Sequence, residues 1–266
     1  MLDAGERQGA HACRSCRQLL RPGAKFCAGC GRPLTQEASS ANPARKPTST
    51  ATALRDQATA LKRVGWIFGL LLANSLGMAI LIRIFPNLAW PGAAVAAANA
   101  LTVLAFAVAY RDQLAPLLQW PAASTRTLWQ MWIASAVAIT VLVAYLAISE
   151  RLLIRTLTYS DIYREAGLPL WAALLMLTVV PALIEELAFR GLIQTSLERV
   201  FNINEAWYLQ AALFGVVHLL PLTFFSHAVL GLWLGWLRIK SGSLYPCFVA
   251  HALWNAAMIS RELWLR

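Results

Sequence analysis

From about residue 64 the chain becomes apolar and stays so, while the stretch before it is polar. A bilayer core of about 30 Å needs a run of about 20 mostly apolar residues to cross it as a helix. Runs of that kind are expected as membrane helices over 64–85, 88–110, 128–149, 168–190, 206–222, 225–240 and 244–261, about seven spans in all. The second is rich in Ala, which lets helices pack closely. The fifth and sixth are short and nearly abutting, so they read as one tight helical hairpin or as spans with displaced ends. Between the third and fourth lies ERLLIRTLTYSDIYREAG, which mixes apolar and charged residues and reads as interfacial. Residues 35–60 are rich in Ser, Thr, Ala and Pro with no apolar face, and read as a flexible linker. The pattern therefore divides the chain into a head over 1–34, a linker over 35–60 and a membrane domain over 61–266. The fold class is all-α: a polytopic transmembrane helix bundle behind a small polar head. No internal repeat is visible.

Composition agrees. Of the 266 residues, 58% are hydrophobic and 14% charged. Soluble domains are about 25% charged and about half apolar, so lipid is the main solvent here. The net charge of +10 is uneven. Residues 1–64 hold eleven Lys and Arg against four Asp and Glu, a net +7. A basic segment just ahead of a membrane helix fits anionic headgroups and retention in the cytosol better than it fits nucleic acid. No nucleic-acid partner is expected. Lys62 and Arg63 flank the first span and put the N-terminal head in the cytosol, although Arg83 and the Arg residues of 150–165 blur the bias further on. Residues 1–60 lack the short basic region and apolar core of a secretory signal, which leaves the first span as the targeting signal.

The head carries Cys13-x-x-Cys16 and Cys27-x-x-Cys30-Gly31, with ten residues between the pairs. Four thiolates in two such knuckles suit a tetrahedral zinc ion, and Gly29 and Gly31 let the backbone turn around it. The run CRSC…KFCAGCGRPL resembles bacterial zinc ribbons. Four Cys leave no open coordination position, so the zinc is expected to be structural and the ribbon to serve a protein partner or regulation. A redox dithiol or disulfide pair is the competing reading. Cys247 lies in a span and reads as a small packing residue.

Ionisable groups inside a span are costly and point to function. The fourth span contains Glu185, Glu186 and Arg190 in VVPALIEELAFRG. Glu186 and Arg190 are four apart on one helical face, with the acid on the N-terminal side, the favourable order for a pair. Glu185 points about 100° away and is free to face a cavity. Pro181, one turn earlier, deprives the Leu177 carbonyl of its helical donor and is expected to kink the span. The fifth span offers Phe214-x-x-x-His218 and the seventh His251-x-x-x-Asn255, each pair sharing one helical face. Three spans thus present polar groups that can converge on one aqueous pocket. Singly, each has a plain alternative: an interfacial His, an Asn joining two helices, a Glu–Arg clamp. His227 reads as a loop residue, and the eleven Trp mostly as interfacial belts.

The ordered set Glu185-Glu186-x-x-x-Arg190, Phe214-x-x-x-His218, His251-x-x-x-Asn255 resembles the signature of the CAAX prenyl protease and bacteriocin-processing family of intramembrane glutamic endopeptidases. The resemblance covers about residues 165–260; the first three spans match in hydropathy alone. It implies metal-independent peptide hydrolysis within the membrane. Glu185 would be the general base, with His218 helping to position its water. His251 and Asn255 would donate to the oxyanion, and Glu186, held by Arg190, would keep the pocket in shape. The partners implied are the lipid bilayer and a membrane-associated or C-terminal peptide substrate, and the setting is a multi-pass protein of a bacterial inner membrane. Two other classes fit the same residues. One is a non-proteolytic relative acting as an immunity, scaffold or regulatory protein. The other is a metal-dependent hydrolase or transporter, against which the chain has no HExxH helix.

Overall fold

The structure, a computed structural model, describes residues 50–85, 90–121, 124–152, 167, 169–219 and 221–264. Cys13, Cys16, Cys27 and Cys30, and most of the interfacial segment expected after the third span, lie outside the described residues. The chain divides into two compact units, Met1–Gln57 and Ala58–Arg266. The second is a helical bundle, with no strand among the described residues.

The first helix, α1, runs Thr50–Ile84. The linker expected over 35–60 is therefore shorter at its C-terminal end. The segment TATALRDQATA has no apolar face, but Ala, Leu, Gln and Arg are good helix formers. Polarity alone did not argue against a helix. Ala60, Val64, Ile67 and Leu71 of α1 are buried at helical spacing, while Trp66, Leu70, Ile80 and Ile84 face outward. Helix α2, Trp90–Ala109, packs beside it, and the Asn74 amide donates to Oδ1 of Asn99 at 2.9 Å between the two. The chain then turns by 85° into α3, Arg111–Leu114, which continues as a 3₁₀ turn over Ala115–Leu118. Helix α4 spans Thr125–Leu152, with Met131, Ser135 and Leu142 inside and Trp129, Ile133, Val137 and Val141 exposed. Large apolar side chains repeated every four residues on an outer face would be a liability in water. In a bilayer they are the lipid contact.

The fourth helical stretch is not a plain α-helix. It runs through α5 (Leu170–Leu174), a π turn (Leu175–Val179), α6 (Val180–Glu186), a second π turn (Leu187–Ile193) and α7 (Gln194–Leu197). The first π turn ends just before Pro181. A proline lacks the N–H that the ladder needs, and widening the preceding turn is one way a helix absorbs the gap. Where a kink was expected, the chain has a π turn on each side of the two glutamates.

Helices α8 (Ile203–Val216) and α9 (Pro221–Ser241) form a close pair, in place of spans over 206–222 and 225–240. Asn202 starts α8 with a capping box. Its side chain accepts from the N–H groups of Asn204 and Glu205, and Glu205 accepts from the Asn202 N–H. A Cβ on Gly231 would stand 2.8 Å from Cα of Ala211, so the backbones meet there with no side chain between them. Gln210 Nε2 donates to the Gly231 carbonyl at 2.9 Å and Trp207 Nε1 to that of Leu232 at 2.7 Å, sealing the seam. Helix α10, Tyr245–Trp264, closes the bundle.

Among the described residues, two helices are long and apolar enough to cross a membrane, and a third if the bent α2–α3 pair is one span. The expected count of seven is not confirmed. The fourth stretch is broken by its π turns, and α8, at 14 residues, reaches only about 21 Å at ~1.5 Å per residue. Helices α9 and α10 have 21 and 20 residues but carry the polar groups that lower their apolarity.

A polar layer crosses one end of the bundle. The Arg63 guanidinium lies 3.7 Å over the Tyr110 ring and donates to Gln113 at 2.6 Å and to Ser196 at 3.4 Å. Arg238 pairs with Glu198 and donates to Thr195 at 2.8 Å. These contacts bring α1, the α2–α3 bend, α7 and α9 to one level.

Candidate active site

The first π turn and Pro181 precede the glutamates, and the second π turn follows them at once. The local result is the division expected from their helical faces. Glu186 is fully buried, whereas the Glu185 side chain keeps 32% of its exposure. Oε1 of Glu186 accepts from Nη1 of Arg190 at 2.9 Å and meets Nδ1 of His251 at 2.7 Å. Arg190 is also fully buried, and its guanidinium carbon lies 4.4 Å from the centre of the Phe214 ring. A buried cation needs compensation, and here a carboxylate and an aromatic face share that task.

His251 stands between the two acids. Its Nδ1 is bonded to Glu186, and its Nε2 lies 3.8 Å from Oε2 of Glu185. A carboxylate accepts, so Nδ1 carries a proton. The neutral ring then keeps its lone pair on Nε2, and only the imidazolium can donate from that side. The expected role of His251 as a donor thus comes with a condition: the ring must be charged. Four apart from it, Asn255 donates Nδ2 to the Thr178 carbonyl at 3.3 Å, within the first π turn. The amide carries two N–H groups, so one remains for another acceptor.

His218 follows α8. Its Nδ1 is 2.7 Å from the Phe214 carbonyl. A carbonyl oxygen only accepts, so Nδ1 is protonated and the neutral ring holds its lone pair on Nε2. That is the tautomer able to accept a proton or orient a water. Phe214 is the hub of the site. Its ring lies 4.9 Å from Phe189, 5.0 Å from His218 and 6.0 Å from His251, edge to face in each case.

The structure thus gathers Glu185, Glu186, Arg190 and His251 into one chain of contacts, and Phe214 carries that chain to His218. Asn255 is tied to Thr178 on the same helical stretch as the glutamates. One residue was misjudged from sequence. His227 is not in a loop but in α9, with its ring stacked on His218 at 3.7 Å between centroids and 29° between planes. The signal was available: His227, Leu230 and Leu234 recur at helical spacing, and both leucines are fully buried. Cys247 is buried, with Sγ 3.3 Å from the Leu234 carbonyl, and packs as expected. Among the described residues no three His, Cys, Asp or Glu are grouped to hold a metal ion.

An all-helical bundle with lipid-type outer faces and a buried Glu–Arg–His cluster defines an integral membrane protein with an enzyme-like polar centre. Residues 167–257 of the chain match the model of the family described as Rce1-like, type II CAAX prenyl endopeptidase Rce1-like. The matched stretch contains all three motifs and every side chain of the cluster. The family's description is that of an endopeptidase, which supports an enzyme reading of this stretch. No curated protein and no solved structure gives a significant match.

Proposed function

We propose that the protein is an intramembrane glutamic endopeptidase in which Glu185 activates a water for attack on a peptide carbonyl. The observation that carries this reading is the contrast between adjacent carboxylates. Glu186 is buried and committed to Arg190 and His251, while Glu185 is partly open and uncommitted except to the edge of the same histidine. A structural acid and a reactive acid thereby occupy adjacent positions. Glu185 takes the proton from water, and Nε2 of His218 helps orient that water. His251, as an imidazolium anchored on Glu186, donates from Nε2 to the oxyanion. The remaining N–H of Asn255 is the second donor. Donors of this kind are worth about 3 kcal/mol each in a site that excludes water.

The substrate reading is a peptide bond near the C-terminus of a membrane-associated chain, of the type the family's description names. A lipid-facing bundle with its acids inside favours a substrate delivered from the bilayer. The test is proteolysis by the purified protein in liposomes, with a pool of prenylated and unprenylated C-terminal peptides read by mass spectrometry for new ends. Glu185→Gln keeps the shape and removes the base. It should remain folded and lose about 100-fold or more of the rate. A wild type that makes no new ends across the pool would sink the protease reading in favour of a non-proteolytic role for the same fold.

A further inference from the structure

We propose that His227 is a positioning residue for His218, holding its ring in the plane and tautomer that the proposed water activation uses. The inference rests on the endopeptidase reading for its consequence in rate, but its geometry stands separately. Three features converge on it. The two imidazoles are stacked at 3.7 Å, and Phe214 lies 5.0 Å from His218 and 5.9 Å from His227, so the three rings form one cluster in which His218 touches both of the others. The turn that makes this contact is strained: Leu219, directly after His218, has φ 61°, a left-handed conformation that costs a non-glycine residue on the order of 1 kcal/mol. The helices also close tightly above it. A Cβ on Gly215 would meet the Phe224 carbonyl at 2.8 Å and its ring at 2.9 Å. The sequence thus spends a strained leucine and a bare glycine on folding the start of α9 back over the end of α8. What that fold delivers is His227 onto His218.

The second ring has a polar neighbour of its own. Ser226 Oγ is 3.2 Å from Nδ1 of His227. The ring planes lie only 29° apart, so the nitrogen lone pairs run side by side rather than toward a common point. The pair is therefore suited to holding a ring, and poorly suited to chelating a metal. The Phe214 carbonyl fixes which nitrogen of His218 is protonated, and the stacked His227 keeps the ring from turning off that carbonyl.

The experiment uses the full chain with histidine labelled in ¹⁵N, which is practical because the sequence has four His. Wild type should give a His218 signal for protonated Nδ1 and unprotonated Nε2. In His227→Ala and His227→Leu that signal should become a mixture of tautomers. The cleavage rate should fall about 10- to 100-fold in kcat, with KM little changed, as expected when a reacting group is displaced by about 1 Å. His227→Phe, which restores a flat ring without nitrogens, should recover the single tautomer and much of the rate. Two removal variants are used so that a folding defect in one, seen by thermal melting, leaves the other decisive. A His218 signal unchanged in both would overturn the proposal, as would a failure of His227→Phe to recover it. If wild type cleaves no peptide, the endopeptidase reading falls while the tautomer signals still decide the role of His227.

Discussion

At the scale of single residues, the centre of the molecule is one carboxylate oxygen with two donors. Oε1 of Glu186 serves both Arg190 and His251, and all three groups are buried. Removing one partner of a buried ion pair leaves the other charge uncompensated, typically at a cost of about 3–5 kcal/mol. Arg190→Met should therefore destabilise the protein strongly, read as a lowered midpoint of thermal unfolding in detergent. Adding Glu186→Gln to it should return part of the loss, because the stranded charge is then gone. A double variant no more stable than the single one would mean that Arg190 matters for its packing against Phe214 rather than for its charge. Glu185 has no such structural duty, so Glu185→Gln should change rate and not stability. The separation between the two acids was legible in sequence, since adjacent helical positions differ by about 100°. The condition on His251 was not. Spacing tells which residues share a face, but not which ring nitrogen a carboxylate captures.

At the scale of elements, the seam between α8 and α9 decides whether the histidines meet. Gly231 has backbone, not a flexible side chain, against the place where its Cβ would be. Gly231→Ala must then push the helices apart, and overpacking of this kind costs about 1–3 kcal/mol. The expected result is a lower unfolding midpoint with a loosened His218–His227 stack, measured on the same labelled histidines. A variant as stable as wild type would show that the seam can open without penalty. The position of this seam also explains where sequence reading ran out. Hydropathy found the apolar stretches but misplaced the ends of the fifth and sixth, because the turn at Val217–Leu219 sets His218 between two apolar residues, with no glycine to mark it. His227 reads as a loop residue because no polar partner one turn away accompanies it, although the expected span over 225–240 contains it. The π turns around Glu185 and Glu186 left no trace beyond Pro181, since a π turn is chosen by packing rather than by a residue type. The polar start of α1 was read as linker because it lacks an apolar face, although its residues favour helix.

At the scale of the whole molecule, charge and contact together give a testable topology. Lys62 and Arg63 on α1, Arg111 after the bend, Arg199 after α7, and Arg238 and Lys240 on α9 belong to one end of the bundle, joined through the Arg63–Ser196 and Arg238–Glu198 contacts. Glu186 lies ten residues up the helical stretch from Ser196, across the second π turn. His227 lies eleven residues up α9 from Arg238, about 16 Å at ~1.5 Å per residue. Both therefore lie well inside the bundle from the basic end, as the proposed role of Glu185 requires. The positive-inside rule predicts that the basic end faces the cytosol. Helix α10 starts at Tyr245 beside that end, tied by the Leu244 N–H to the Leu117 carbonyl at 2.8 Å, and runs away from it to Trp264. A phosphatase fused after Arg266 should therefore be active outside the cytosol in a bacterial host, and a fluorescent protein fused there should stay dark. A tag inserted at Gly242 should instead react from the cytosolic side. The reverse pattern would place the basic end outside and require that the substrate approach the acids from the opposite leaflet.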